Sequence, residues 1–171
     1  MNYPKEIKTR VKWLLIGLAL SLIIAEVIKR FEGTLQENLV LATFIPLVVY
    51  MSDAVGTQME SIIIRELNKP GKFNFVKFFR QQIIIVVVVA VVVGLASGVV
   101  ITLLNDSIGL GVVIGLSLLG SILSSLITGS LLPYFFWRMH EDPAEASGPV
   151  ATVLQDFLSV VIFLVIARAI L

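Results

Sequence analysis

Between Arg80 and Asp106, and again between Asp106 and Arg138, the chain carries no charged residue. Each stretch exceeds the roughly 20 apolar residues that cross a bilayer. The run Ile83-Ile84-Ile85-Val86-Val87-Val88-Val89 would read as a buried strand in water, since β-branched residues favour sheet. In an uncharged stretch this long a helix is the better reading, because it satisfies its own backbone groups in lipid. Composition agrees. Hydrophobic residues make up 57% of the 171 and charged residues 15%, against about 25% charged in an average soluble domain. A soluble domain of about 150 residues buries only about 70% of its unfolded surface, too little to hide this apolar content.

With these two, five apolar spans are expected, at about 13–28, 39–64, 82–104, 108–137 and 149–171. Together they predict an all-α, polytopic membrane protein with 1–171 as a single five-helix transmembrane domain. The first span lacks an A-x-A-like cleavage site and does not read as a secretory signal. Ten basic residues fall on one side of this arrangement: Lys5, Lys8, Arg10, Lys12, Arg65, Lys69, Lys72, Lys77, Arg80 and Arg138. Lys29, Arg30 and Arg168 fall on the other. The positive-inside rule then puts the N-terminus in the cytoplasm, the C-terminus outside and the chain in the cell membrane. Lys69-Pro70-Gly71-Lys72 reads as a cytoplasmic turn. Lys72 to Arg80, with Phe73, Phe75, Phe78 and Phe79, reads as an amphipathic stretch at the headgroups.

A formal net charge of +1 implies no nucleic-acid partner. With no cysteine and one histidine, thiolate sites, redox chemistry and His clusters are excluded. No nucleophile–base pair is evident, so the chain is not expected to be an enzyme. An ionisable group within a span costs about 2.5–3.5 kcal/mol and points to function. The candidates are Glu26, Asp53, Glu60 and Asp156, with no Lys or Arg deep in any span to neutralise them. Glu26 lies near Lys29 and Arg30, which suits an interface pair. Glu60 is near enough to the cytoplasmic end to meet Arg65 or Arg80. Asp53 shares a helix face with Gly56, Thr57 and Glu60 and lies roughly 16 Å from that end at 1.5 Å per residue. Asp156, with Thr152 at i−4 and Ser159 at i+3, reaches a comparable depth from the fifth span. Its alternative is a neutral carboxyl bonded to a backbone carbonyl. Oxygen ligands select hard divalent cations: Mg²⁺, Mn²⁺ or Ca²⁺. Asp142-Pro143-Ala144-Glu145 carries the signature of a helix start. The small residues Ser117, Ser121, Ser125 and Gly129, and Gly94 with Gly98, predict close helix packing.

These residues also resemble a known family. Arg10-Val11-Lys12-Trp13-Leu14-Leu15, Phe31-Glu32-Gly33-Thr34-Leu35, Ile45-Pro46, Met51, Gly56-Thr57-Gln58 and Leu132-Pro133 carry the likeness. So do Asp142-Pro143-Ala144, Ala146-Ser147-Gly148-Pro149, Thr152, Asp156 and Ala167-Arg168. In order and spacing they are similar to the membrane domain of the MgtE magnesium transporter/channel family, to which eukaryotic solute-carrier magnesium transporters are related. The resemblance implies a homodimer with a central cation pathway. It implies an ion site built on Asp156 from each chain, with backbone oxygens near Gly148 and Thr152 and a largely hydrated ion. Two departures stand out. Ser52-Asp53-Ala54 replaces a usual Gly-Gly-Asn, adding an acid, and Ser159 and Phe163 replace a usual glycine and tyrosine. Only about 12 residues precede the first span, so no cytoplasmic N-terminal or CBS sensor domain is expected in cis. The function expected is divalent-cation transport, with Mg²⁺ as the cargo. A non-transporting membrane subunit, or a proton-coupled exporter, fits the same features.

Overall fold

The computed structural model describes the backbone of residues 3–171 and the side chains from Ile7 onward, Thr9 excepted. The Lys5 side chain of the basic N-terminal group lies outside the described residues. The chain folds into α1 (Tyr3–Ile28), a 3-10 turn (Lys29–Phe31), the short α2 (Glu32–Glu37), α3 (Val40–Leu67), α4 (Phe75–Asn105), α5 (Ile108–Arg138) and α6 (Pro143–Ile170). Among the described residues there is no strand. Five helical stretches are long and apolar enough to cross a membrane, the first combining α1, the turn and α2.

Local chemistry sets the helix ends. The Asn74 side chain accepts from the Lys77 N–H at 3.0 Å to start α4. Ser107 accepts from Leu110 at 3.2 Å to start α5, and Asp142 accepts from Ala144 at 2.9 Å to start α6. Each satisfies a backbone donor that the first helical turn cannot. Pro143 follows its cap at N1, where no N–H is needed. The turn between α3 and α4 requires Gly71, whose φ of +119° an L side chain rarely adopts.

The expected spans are therefore the inner parts of longer helices. α6 starts at Pro143 instead of Pro149, so the Asp142 cap and the fifth span belong to one helix. α4 starts at Phe75 instead of Gln82, so the aromatic stretch after Lys72 is no separate surface element. Phe78 is buried in the core, and Phe73 and Phe75 pack on Tyr134 of α5 at 6.0 and 4.4 Å. Trp13 meets Phe136 edge-on at 5.1 Å. These rings gather at the end rich in Lys and Arg, as an interfacial aromatic belt does.

α5 is the centre of the bundle, packed on α3, α4 and α6, while α1 lies outside against α6. Two apolar cores flank the middle. One joins Val48, Ile114, Leu118 and Phe163; the other joins Met59, Ile63, Ile122 and Leu126. The small residues bring the helices together within the chain. A Cβ on Gly94 would stand 2.7 Å from the Gly115 carbonyl, and one on Gly129 would stand 2.5 Å from the Gly56 carbonyl. The stripes that the sequence offers for packing are thus occupied by this chain's own helices. Gly111→Ala is the sharpest test. Its Cβ would meet the Gly98 carbonyl at 2.5 Å and also run into Thr102. Backbone cannot turn aside, so a loss of about 1–3 kcal/mol is expected, read as a lower thermal midpoint in detergent. An unchanged midpoint would mean that α4 and α5 are not in this contact.

Candidate functional site

Counting from the helix ends that share the basic side, Asp53 lies 14 residues from Leu67 and Asp156 lies 13 residues from Pro143. At 1.5 Å per residue both sit about 20 Å in. Counted along the full helices, the two acids thus stand at nearly the same level. Both are half-buried and within coulombic range of each other.

Each helix carries two neighbouring stripes. On α6, Ser147, Ala151, Gln155 and Ser159 are buried in the bundle, while Gly148, Thr152 and Asp156 on the adjoining stripe are half-buried or exposed. On α3, Ser52, Gly56 and Met59 are buried, and Asp53, Thr57 and Glu60 are more open. Where these stripes meet α5 they form a narrow cleft lined by Asp53, Gly56, Thr57, Glu60, Thr128, Gly129, Ala151, Thr152 and Gln155. A Cβ on Gly148 would touch nothing within 4 Å, so its side of α6 is open. Pro133, lying inside α5, has no N–H to bond the Gly129 carbonyl four residues earlier. That leaves a backbone oxygen of a cleft residue without its helical partner.

Glu60 takes a hydrogen bond from the Ser147 hydroxyl of α6. Among the described residues no ion pair joins Glu60 to Arg65 or Arg80. Glu26 is paired with Lys29 at 2.5 Å on the surface, as its sequence position suggests. Gly56 is buried at the α3–α5 crossing. Ser159 turns inward, sharing a 2.5 Å hydrogen bond with Ser52. Among the described residues no three His, Cys, Asp or Glu side chains converge to hold a metal.

Beneath the acids lies a polar layer that a search for ionisable groups overlooks. Gln155, 2% exposed, is its hub. Its Oε1 accepts from Thr128 at 2.5 Å, and its Nε2 donates to the Ser121 carbonyl at 3.1 Å, with Ser159 Oγ at 3.1 Å and Ser124 Oγ at 3.2 Å also in reach. Through Ser159 and Ser52 the network ties α6 to both α5 and α3. The buried Ser117 and Ser121 hydroxyls have no hydrogen-bond partner among the described residues. The signal for this layer was the four-residue spacing of small polar residues on α5, continued by Gln155 and Ser159 on α6.

Five membrane-length helices, two of which bring a carboxylate to one level with no basic residue at that depth among the described residues, define a multi-pass membrane protein. The comparisons make the class specific. Residues 45–166 match the MgtE family, described as divalent cation transporters, and the chain belongs to that family. It is 32% identical over 97% of its length to the magnesium transporter MgtE of Enterococcus faecalis, and 32% identical over 94% to that of Bacillus subtilis. Against the Thermus thermophilus magnesium transporter MgtE the identity is 27% over 95% of the chain. The chain spans 36–37% of the length of these relatives. The family is one of transporters and not of enzymes, and its cell-membrane, multi-pass character matches the five spans here.

Proposed function

We propose that this chain forms a membrane pathway for divalent cations, with Mg²⁺ as cargo, centred on Asp156 and completed by a second copy of the chain. The supporting observation is the placement of Asp53 and Asp156, from different helices, at one depth and within coulombic range. Asp156 supplies the main charge. Thr152, Gly148 and the Gly129 carbonyl supply neutral oxygens, and Asp53 adds a second carboxylate. Thr57 and Glu60 continue the polar face toward the basic end. A single five-helix chain has one copy of each group and no internal mate. The homodimer would bring two Asp156 side chains to a shared axis. The orientation that supports this reading is the positive-inside one, with the N-terminus cytoplasmic. In that orientation a membrane potential drives uptake by about 2.3 kcal/mol per charge per 100 mV, or roughly 4.6 for a divalent ion, so no coupled ion is required.

Purified protein in liposomes is expected to admit Mg²⁺ when the interior is made negative, and to bind Mg²⁺ in isothermal titration run beside Mn²⁺, Ca²⁺ and Zn²⁺. In lipid nanodiscs it is expected to have the mass of two chains. No flux above empty liposomes would favour the non-transporting subunit. A conducting monomer would remove the two-chain pathway.

A further inference from the structure

Where α3 turns into α4, a cleft of about 610 Å³ opens that the cation pathway does not use. Lys69, Lys72 and Lys77 line it, with Asn74, Gln81 and Phe78 among their neighbours. Among the described residues Glu66 is the one acid in its wall, and it is already paired with Lys69 at 2.6 Å. Lys72 and Lys77 therefore leave two positive charges facing the cleft, and the N-terminus of α4 opens onto it with the positive end of its dipole. Gly71 and the Asn74 cap fix the turn that holds these groups in place.

The level of the cleft matters as much as its charge. Arg80 is the last charged residue before the uncharged stretch of α4, so the cleft sits where the polar turn enters the apolar span. From Lys77, steps of four, three and four residues lead through Gln81 to Ile84 and Val88 on one helix face. Ile84 is 69% exposed and Val88 57%. A cationic cleft thus continues directly into an open apolar stripe. A free phosphate would use only the first; an anionic phospholipid would use both, its phosphate among the lysines and an acyl chain along the stripe.

We infer that the α3–α4 turn is a binding site for the headgroup phosphate of an anionic phospholipid, seated by Lys72 and Lys77 with its acyl chain along Ile84 and Val88. Native mass spectrometry of the full chain, released from micelles doped with phosphatidylglycerol or with phosphatidylcholine of the same acyl chains, tests this. The wild type is expected to retain phosphatidylglycerol preferentially. A basic residue near an anionic lipid surface contributes about fivefold, so Lys72→Gln with Lys77→Gln should weaken retention roughly 25-fold. The control double variant Lys8→Gln with Lys29→Gln removes the same charge elsewhere and should keep the preference. Both variants alter exposed side chains, and helical circular dichroism of each is expected to match the wild type. Equal loss in the control would reduce the effect to net charge and overturn the site. So would unchanged retention in the Lys72/Lys77 variant. Millimolar inorganic phosphate is expected to leave the lipid bound; displacement by it would reassign the cleft to a free anion.

Discussion

Asp156→Asn is expected to weaken divalent-cation binding by tenfold or more and to bring Mg²⁺ flux to the level of empty liposomes. The substitution preserves volume and hydrogen-bonding capacity but removes the charge that draws an ion about 20 Å into a helix bundle. A tenfold loss corresponds to about 1.4 kcal/mol, modest for a carboxylate with no basic partner at its depth among the described residues. Stability should move the other way. Asp156 and Asp53 are both half-buried on facing helices at one level, so in the empty protein each disfavours the other's charge. Neutralising one relieves that repulsion, and the thermal midpoint of the ion-free variant should equal or exceed the wild type's. Such a trade of stability for function is common at sites that assemble like charges. Asp53→Asn should show the same pattern with a smaller loss of affinity, since Asp53 adds to a site centred on Asp156. Titration and thermal melts of the three proteins decide the matter. Unchanged affinity in Asp156→Asn would make Asp156 structural. A lowered midpoint in ion-free protein would mean that the carboxylate holds the fold together.

The part of this architecture that depends on hydrophobicity was legible in the residues. Long apolar stretches, two of them free of charge and three carrying isolated acids, give five spans, because lipid tolerates few alternatives to helix. The ends were less legible, since apolar content stops where lipid stops and helices do not. The Asp142 cap and Pro143 mark the true start of α6; Pro149, where the apolar span begins, lies inside the helix. The short α2 between α1 and α3 left no such mark, because Glu32-Gly33-Thr34-Leu35 has neither the length nor the apolar run of a span. Of the site, the acids stood out because a charge in a span is costly. Which face of each helix is buried was harder to read. Ser159 lies three residues from Asp156, yet it turns into the bundle toward Ser52. Ser147 gave no hint that it would reach Glu60, 87 positions away. Uncharged polar residues cost little enough in a span to pass as packing, so the layer around Gln155 becomes visible only when three helices are seen together.

That layer carries the other large effect. Gln155→Glu is expected to destabilise the bundle more than Gln155→Leu, although Glu is the closer match in shape. Nε2 of Gln155 donates to the Ser121 carbonyl at 3.1 Å. A glutamate oxygen in that place would confront the carbonyl oxygen with no proton between them, and would bring a charge to a residue 2% exposed. Leucine forfeits the hydrogen bonds but brings no charge. Hydrogen bonds between membrane helices average about 0.6 kcal/mol and reach about 1.7. The groups left behind have local substitutes, since Ser159 already donates to the Gln155 carbonyl at 2.7 Å. Leucine should therefore cost about 1–2 kcal/mol, and glutamate about 3 kcal/mol or more, the penalty of an uncompensated buried charge. Both should also weaken cation binding, because Gln155 precedes Asp156 on α6 and fixes the rotation of that helix against Ser121 and Thr128 of α5. Thermal or denaturant unfolding in detergent gives the order of stability, and titration with Mg²⁺ gives the consequence for the site. If Glu were tolerated as well as Leu, the Nε2 contact would not be made. If Leu kept full affinity, the polar layer would hold the helices together without setting where Asp156 points.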